Sequence, residues 1–105
     1  MAKRFVPGAG EIVWLNFAPP AGRGLALVLS PTAYNDKTSL MLCCPVTTQI
    51  KSHPFEVPIA GKPASAVLAD QVKSLDWRGR NAIRKGAASA DELDAVRALI
   101  LALIG

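Results

Sequence analysis

The sequence predicts a mainly β fold, a small twisted barrel or sandwich closed by one C-terminal helix. Three observations carry this. Short apolar runs recur along the first 87 residues with Pro- and Gly-rich breaks between them. Helical spacing of apolar residues is sustained only at the end of the chain. The chain has 105 residues, half of them hydrophobic, which suits one domain over 1–105 with one compact core.

The elements follow in order. Gly10 opens "GEIVWLNF", apolar on both faces, hence a well-buried first strand. "PPAGRG" breaks it, and "LALVLS" is a second strand ended by Pro31. "TAYNDKT" reads as a helical turn or loop, with Asn35 and Asp36 as turn formers. "SLMLCCPV" is a third strand and "TTQIKSH" a polar loop. "FEVPI" is a fourth strand, which Pro58 assigns to an edge or a strand end. After the turn "GKPAS", strand-like stretches flank Asp70 in "AVLADQVKSLDW", and "GRNAIRKGAA" is a turn and a short strand. Ser89 caps the final helix with Glu92 as its capping-box partner, and Leu93, Val96, Ile100 and Leu103 share a face. Leu99 and Leu101 widen that face beyond what a lone helix needs, which suggests a second buried face such as a dimer contact.

Composition narrows the chemistry. Cys43 and Cys44 are adjacent, so on a strand they face opposite ways and do not pair with each other. Reduced thiols and the absence of an apolar leader segment suggest a cytoplasmic protein without a membrane anchor. With one histidine and no Cys-x-x-Cys or His-x-x-x-His spacing, no metal or other cofactor is expected. The net charge is +4, and Lys51, Lys62, Lys73, Arg78, Arg80, Arg84 and Lys85 crowd the second half. They form either a solvated face or a track for a polyanion.

Polar groups at strand ends are the candidates for function. Thr47, Thr48 and Gln49 place hydroxyls and an amide after a buried strand, suited to phosphate or base edges or simply to holding a loop. Asp70 and Gln71 interrupt two apolar runs, as a turn or as a carboxylate for proton transfer. His53 has no evident carboxylate partner and reads as a loop residue. Phe55 is a core or base-stacking aromatic. Arg23 is the sole charge in its turn, either solvated or set against developing negative charge.

Taken in order, "RFVPGAGEIVWLNFAP", "LVLSPTAYNDKT", "CPVTTQIKSHPFEV", "VLADQVKSLDWRGR" and the closing "LIG" resemble the MazF/PemK (Kid) toxin family over nearly the whole chain. The resemblance implies an SH3-like barrel with a C-terminal helix, a homodimer, and metal-independent cleavage of single-stranded mRNA at short sequences. The implied products are a 2′,3′-cyclic phosphate and a 5′-hydroxyl. It also implies a MazE-like antitoxin with an acidic C-terminal tail. Carried over by position, Thr47 and Asp70 fall to the reacting centre. Thr48, Gln49, Phe55 and Gln71 fall to RNA contacts, with Lys51 and Lys73 as phosphate contacts.

One stretch departs from the family. Its members read G-x-E-Q-x-x-x-R-P between the first two strands, and here only G-R-G-L stands there. Arg23 then takes either the position after the family's glycine or that of the missing catalytic arginine. A naturally short loop with Arg23 catalytic, an altered loop in a weakened enzyme, and residues missing from this chain between Gly22 and Leu25 all stay open. Two other readings stand beside the nuclease: a CcdB-like toxin that binds gyrase, and an impaired member that only binds its antitoxin.

Overall fold

The computed structural model describes residues 5–17 and 22–105. The turn expected over residues 18–21 lies outside the described residues, as does the start of the chain. Among the described residues, seven strands form one sheet: β1 (Glu11–Asn16), β2 (Arg23–Val28), β3 (Leu40–Thr47), β4 (Glu56–Ile59), β5 (Ser65–Leu68), β6 (Lys73–Asp76) and β7 (Ile83–Ala87). Helix α1 (Thr32–Thr38) links β2 to β3, and α2 (Ala90–Ile104) ends the chain. A single 3₁₀ turn, Ala69–Gln71, stands between β5 and β6.

The strand order is β4-β5-β3-β2-β1-β7, with β6 also on β3. β3 is the spine. One edge pairs with β2, while the other carries β6 along Leu40–Cys43 and β5 at Val46–Thr47. The 3₁₀ turn fills the step between these two partners, so Asp70 does sit at a break between strands. β4 pairs only with β5, the edge position that Pro58 requires.

The pleat splits the interior into two cores. Val13, Leu15, Ala26, Val28, Met41, Cys43 and Trp77 pack on one face. Leu27, Cys44, Val57, Ile59, Val67, Ala69 and Val96 pack on the other, under α2. The adjacent cysteines thus fall in opposite cores, and both thiols are free. Gly10 sits at φ +91° before β1, a left-handed position open to glycine, and its N–H donates to Val28 O at 2.8 Å.

Asn35 on α1 is fully buried and ties distant segments together. Its Nδ2 donates to Pro7 O (2.7 Å) and Ser30 O (3.0 Å), and its Oδ1 accepts from Ser30 Oγ. Its carbonyl accepts from Trp77 Nε1 at 2.8 Å. An expected turn former is therefore a buried polar clamp, because "TAYNDKT" is a full helix packed against the sheet.

Two further expectations shift. The capping box of α2 is present, Ser89 accepting from the Glu92 N–H and Glu92 from the Ser89 N–H. The inward face, however, is Leu93, Val96, Leu99 and Ile100, whereas Leu103 is 52% exposed. The last turn overhangs the core, leaving Leu101, Leu103 and Ile104 in the open. Strand β2 begins at Arg23, two residues earlier than the apolar run suggests, because Arg23 pairs with Asn16 of β1.

Candidate nucleic-acid interface

The end of β3 and the connection to β4 build a cleft of about 280 Å³. Thr47, Gln49, Lys51, His53, Glu56, Leu68 and Gln71 line it. Four of the candidates from the sequence, Thr47, Gln49, Lys51 and Gln71, are thereby brought together. Thr47 Oγ1 accepts the Gln49 N–H at 3.0 Å. Its own proton is left to donate, so the hydroxyl suits an anionic oxygen in the cleft. Lys51 adds a cation and Gln71 an amide.

Glu56 organises this loop. Its carboxylate accepts the N–H groups of Lys51 (3.1 Å) and Ser52 (2.7 Å). Those bonds, that of Lys51 foremost, hold the carboxyl below its usual range. His53 Nε2 stands 3.6 Å from Glu56 Oε2, while its Nδ1 accepts the Phe55 N–H at 3.3 Å. The histidine therefore has the carboxylate neighbour that the sequence did not disclose. Glu56 was hidden in a short apolar strand, and the only signal was the His-x-x-Glu spacing across Pro54.

The other candidates do not line this cleft, and Lys73 instead borders the apolar surface of Leu29, Leu42, Val72 and Ile100. Asp70 is exposed on the 3₁₀ turn, next to Gln71, and takes part in no hydrogen bond or ion pair between side chains of the described residues. Phe55 is half-buried, and its carbonyl accepts the Ala69 N–H at 3.0 Å, joining the loop to that turn. Lys73 opens β6 opposite Cys43 and is exposed. Burial pushes the Cys43 thiol up to about 11, with Lys73 and Arg80 opposing, and the Cys44 thiol up to about 12.

Arg23 is not at the cleft. Its guanidinium lies 5.0 Å from the Trp14 ring centre. Trp14 pairs with Leu25, and Leu25 with Val46, so this is the face of β3 opposite Thr47. Gly24 faces the other way and is closely covered: a Cβ there would come within 2.9 Å of the Phe17 ring. Arg80 stacks on Phe17 at 4.9 Å and donates to Asn16 O at 3.3 Å.

The basic crowd divides as well. Arg78 pairs with Asp36 (2.9 Å) and Arg84 with Glu11 (2.7 Å), so these two serve the fold. Lys51, Lys62, Lys73 and Lys85 have no ion pair among the described residues and are exposed. Thr48 and Leu25 line a second groove of about 200 Å³, walled by Lys62 and Lys85. Among the described residues, no three His, Cys, Asp or Glu side chains cluster as metal ligands, and no helix is long and apolar enough to cross a membrane.

Residues 9–104 match the model of the PemK-like, MazF-like toxins of type II toxin–antitoxin systems. The chain is 47% identical to the endoribonuclease toxin MazF of Escherichia coli K12 over the full length of both. That alignment runs over 111 positions against the 105 residues here, so at least six positions carry no residue of this chain. A chain from a crystal structure of MazE–MazF from Deinococcus radiodurans superposes with TM-score 0.91 at 49% identity, covering 97% of this chain and 98% of its own. MazF of D. radiodurans crystallised alone gives 0.89, also at 49% identity, over 97% and 99%.

Proposed function

The chain belongs to the PemK-like, MazF-like toxins of type II toxin–antitoxin systems, and from that membership we propose that the cleft at the end of β3 is where it cuts RNA. It is an endoribonuclease toxin. The observation that carries the placement is the gathering of Thr47, Gln49, Lys51 and Gln71 in one cleft, with Asp70 exposed on the 3₁₀ turn directly before Gln71.

In this reading the 2′-hydroxyl of the substrate attacks the adjacent phosphorus while the bond from phosphorus to O5′ breaks. A 2′,3′-cyclic phosphate results, and the departing O5′ takes a proton from water to become the free 5′-hydroxyl. Thr47 donates its proton to a non-bridging phosphoryl oxygen, and Lys51 offsets the charge that develops there. Asp70 takes the 2′ proton. It suits this better than Glu56, whose oxygens are occupied by backbone N–H groups and whose basicity is lowered by them. Gln49, Gln71, Phe55, Thr48 and Lys73 hold the flanking nucleotides. No metal takes part, and the site of action is the cytoplasm.

The partner is a MazE-like antitoxin, as in the D. radiodurans MazE–MazF crystals, and an acidic tail would complement the free lysines around both clefts. A second copy of the chain covers the apolar surface of Leu29, Leu42, Val72, Ile100, Leu101 and Ile104.

The test is cleavage of end-labelled single-stranded RNA in excess EDTA. Thr47→Ala and Asp70→Asn each reduce kcat by roughly 10²–10⁴-fold with melting temperatures kept. Full-length RNA from the unaltered protein would favour a toxin that binds gyrase or only its antitoxin. Restoration of cutting by a divalent cation would refute the metal-free step.

A further inference from the structure

The face of the sheet opposite Thr47 carries a second constellation that the cleavage cleft does not use. Trp14 of β1 is half-buried, with Arg23 from β2 at 5.0 Å and Lys85 from β7 at 5.9 Å from its ring centre. The groove beside it runs past Leu25 and Val46 to Thr48 and is walled by Lys62 and Lys85. β4 and β7 are the two ends of the strand order. Residues 59–63 at the end of β4 and 85–87 of β7 both line the groove, so it lies in the seam where the sheet stays open. Thr47 and Thr48 are consecutive at the end of β3, and one lines each cavity.

We propose that this seam groove is a second nucleotide subsite, which holds RNA that has crossed the end of β3 from the cleavage cleft. The inference rests on the endoribonuclease reading and extends it to substrate length. A single strand is held by a basic channel with an aromatic plane, cations taking phosphates and the ring taking a base in a way that tolerates any sequence. Here Trp14 supplies the plane, and Arg23, Lys62 and Lys85 supply the cations. Lys62 and Lys85 wall the groove itself, Arg23 stands beside it over the Trp14 ring, and none of the three has a carboxylate partner among the described residues. Thr48 is the hinge between the two cavities, its hydroxyl available to a phosphate or a 2′-hydroxyl. Arg23 thereby gains a role as a strand-holding residue on a face that Thr47 does not reach.

The experiment compares two RNAs around one cleavage sequence, a short one confined to the cleft and one several nucleotides longer on either side. The unaltered protein should show a lower KM for the longer RNA. In Lys62→Ala/Lys85→Ala, both exposed positions, the longer RNA should lose that advantage, its KM rising about tenfold with kcat kept. The slope of log binding against log salt for a non-cleavable 2′-deoxy version should fall by about 1.4, for two phosphate contacts. Trp14→Phe should keep more of the advantage than Trp14→Leu. Arg23→Ala should raise the KM of the longer RNA. Two results would overturn the subsite while leaving the nuclease reading intact. One is an unchanged length dependence in the double variant. The other is a double variant that loses only inhibition by an acidic antitoxin peptide. Failure of the unaltered protein to cut either RNA would remove both.

Discussion

Replacing Asn35 by alanine tests how the sheet, α1 and the N-terminal segment are joined. The side chain donates to Pro7 O and Ser30 O and accepts from Ser30 Oγ, all in a fully buried position. Alanine removes three hydrogen bonds and leaves buried carbonyls facing a cavity. Each such group costs about 1–3 kcal/mol, partly relieved where water enters, so the total should be about 3 kcal/mol. For a domain of this size that lowers Tm by about 15 °C. Urea unfolding and thermal melting at one fixed protein concentration would measure it, since any dimer makes Tm depend on concentration. Asn35→Asp sharpens the test. It keeps an acceptor for Ser30 but sets a carboxylate against two carbonyl oxygens. It should be no more stable than the alanine variant at pH 7 and should recover as the pH falls and the carboxyl gains a donor proton. An alanine variant within 0.5 kcal/mol of the unaltered protein, or an aspartate variant as stable as asparagine at pH 7, would refute the clamp.

The Glu56 carboxyl is held below its usual value, so its grip on Lys51 and Ser52 is complete above pH 4.5 and is lost as pH falls through the lowered value. Glu56→Ala should raise KM for RNA at neutral pH and abolish the acid-induced loosening of the 49–53 loop seen by amide exchange; an unchanged KM would count against the loop's role. With thiols near 11 and 12, at most roughly a thousandth of Cys43 or Cys44 is thiolate at pH 8. Iodoacetamide should therefore label the native protein only as fast as it unfolds, followed by intact mass, and labelling at the rate of a free cysteine would contradict their burial. Leu101 is 63% exposed in an apolar surface. Leu101→Asp should shift sedimentation from dimer to monomer, and an unaltered profile would place the interface elsewhere.

The strands, their breaks and the capped helix were legible because local chemistry set them: prolines at strand ends, the Ser89–Glu92 box, the step at Asp70. Leu103 was misplaced because helical periodicity says nothing of where the sheet beneath a helix stops. Asn35 read as a turn former because its partners, Pro7 and Trp77, lie 28 and 42 residues away. The site was partly legible. Thr47, Gln49, Lys51 and Gln71 converge because they border one strand end and one turn. The His53–Glu56 contact was missed because its carboxylate lies within an apolar strand. Arg23 was the hardest to place. Its neighbours in sequence belong to a turn, whereas its position is fixed by pairing with Asn16 and by the ring of Trp14.

The central claim is that Thr47 and its neighbours cut single-stranded RNA by transfer to the 2′-oxygen without a metal. The most direct measurement is mass spectrometry of the fragments formed in excess EDTA by the unaltered protein and by Thr47→Ala. The account predicts fragments ending in a 2′,3′-cyclic phosphate, followed by fragments beginning with a 5′-hydroxyl, both greatly reduced by Thr47→Ala. Fragments carrying a 5′-phosphate, or undiminished cutting by Thr47→Ala, would contradict it.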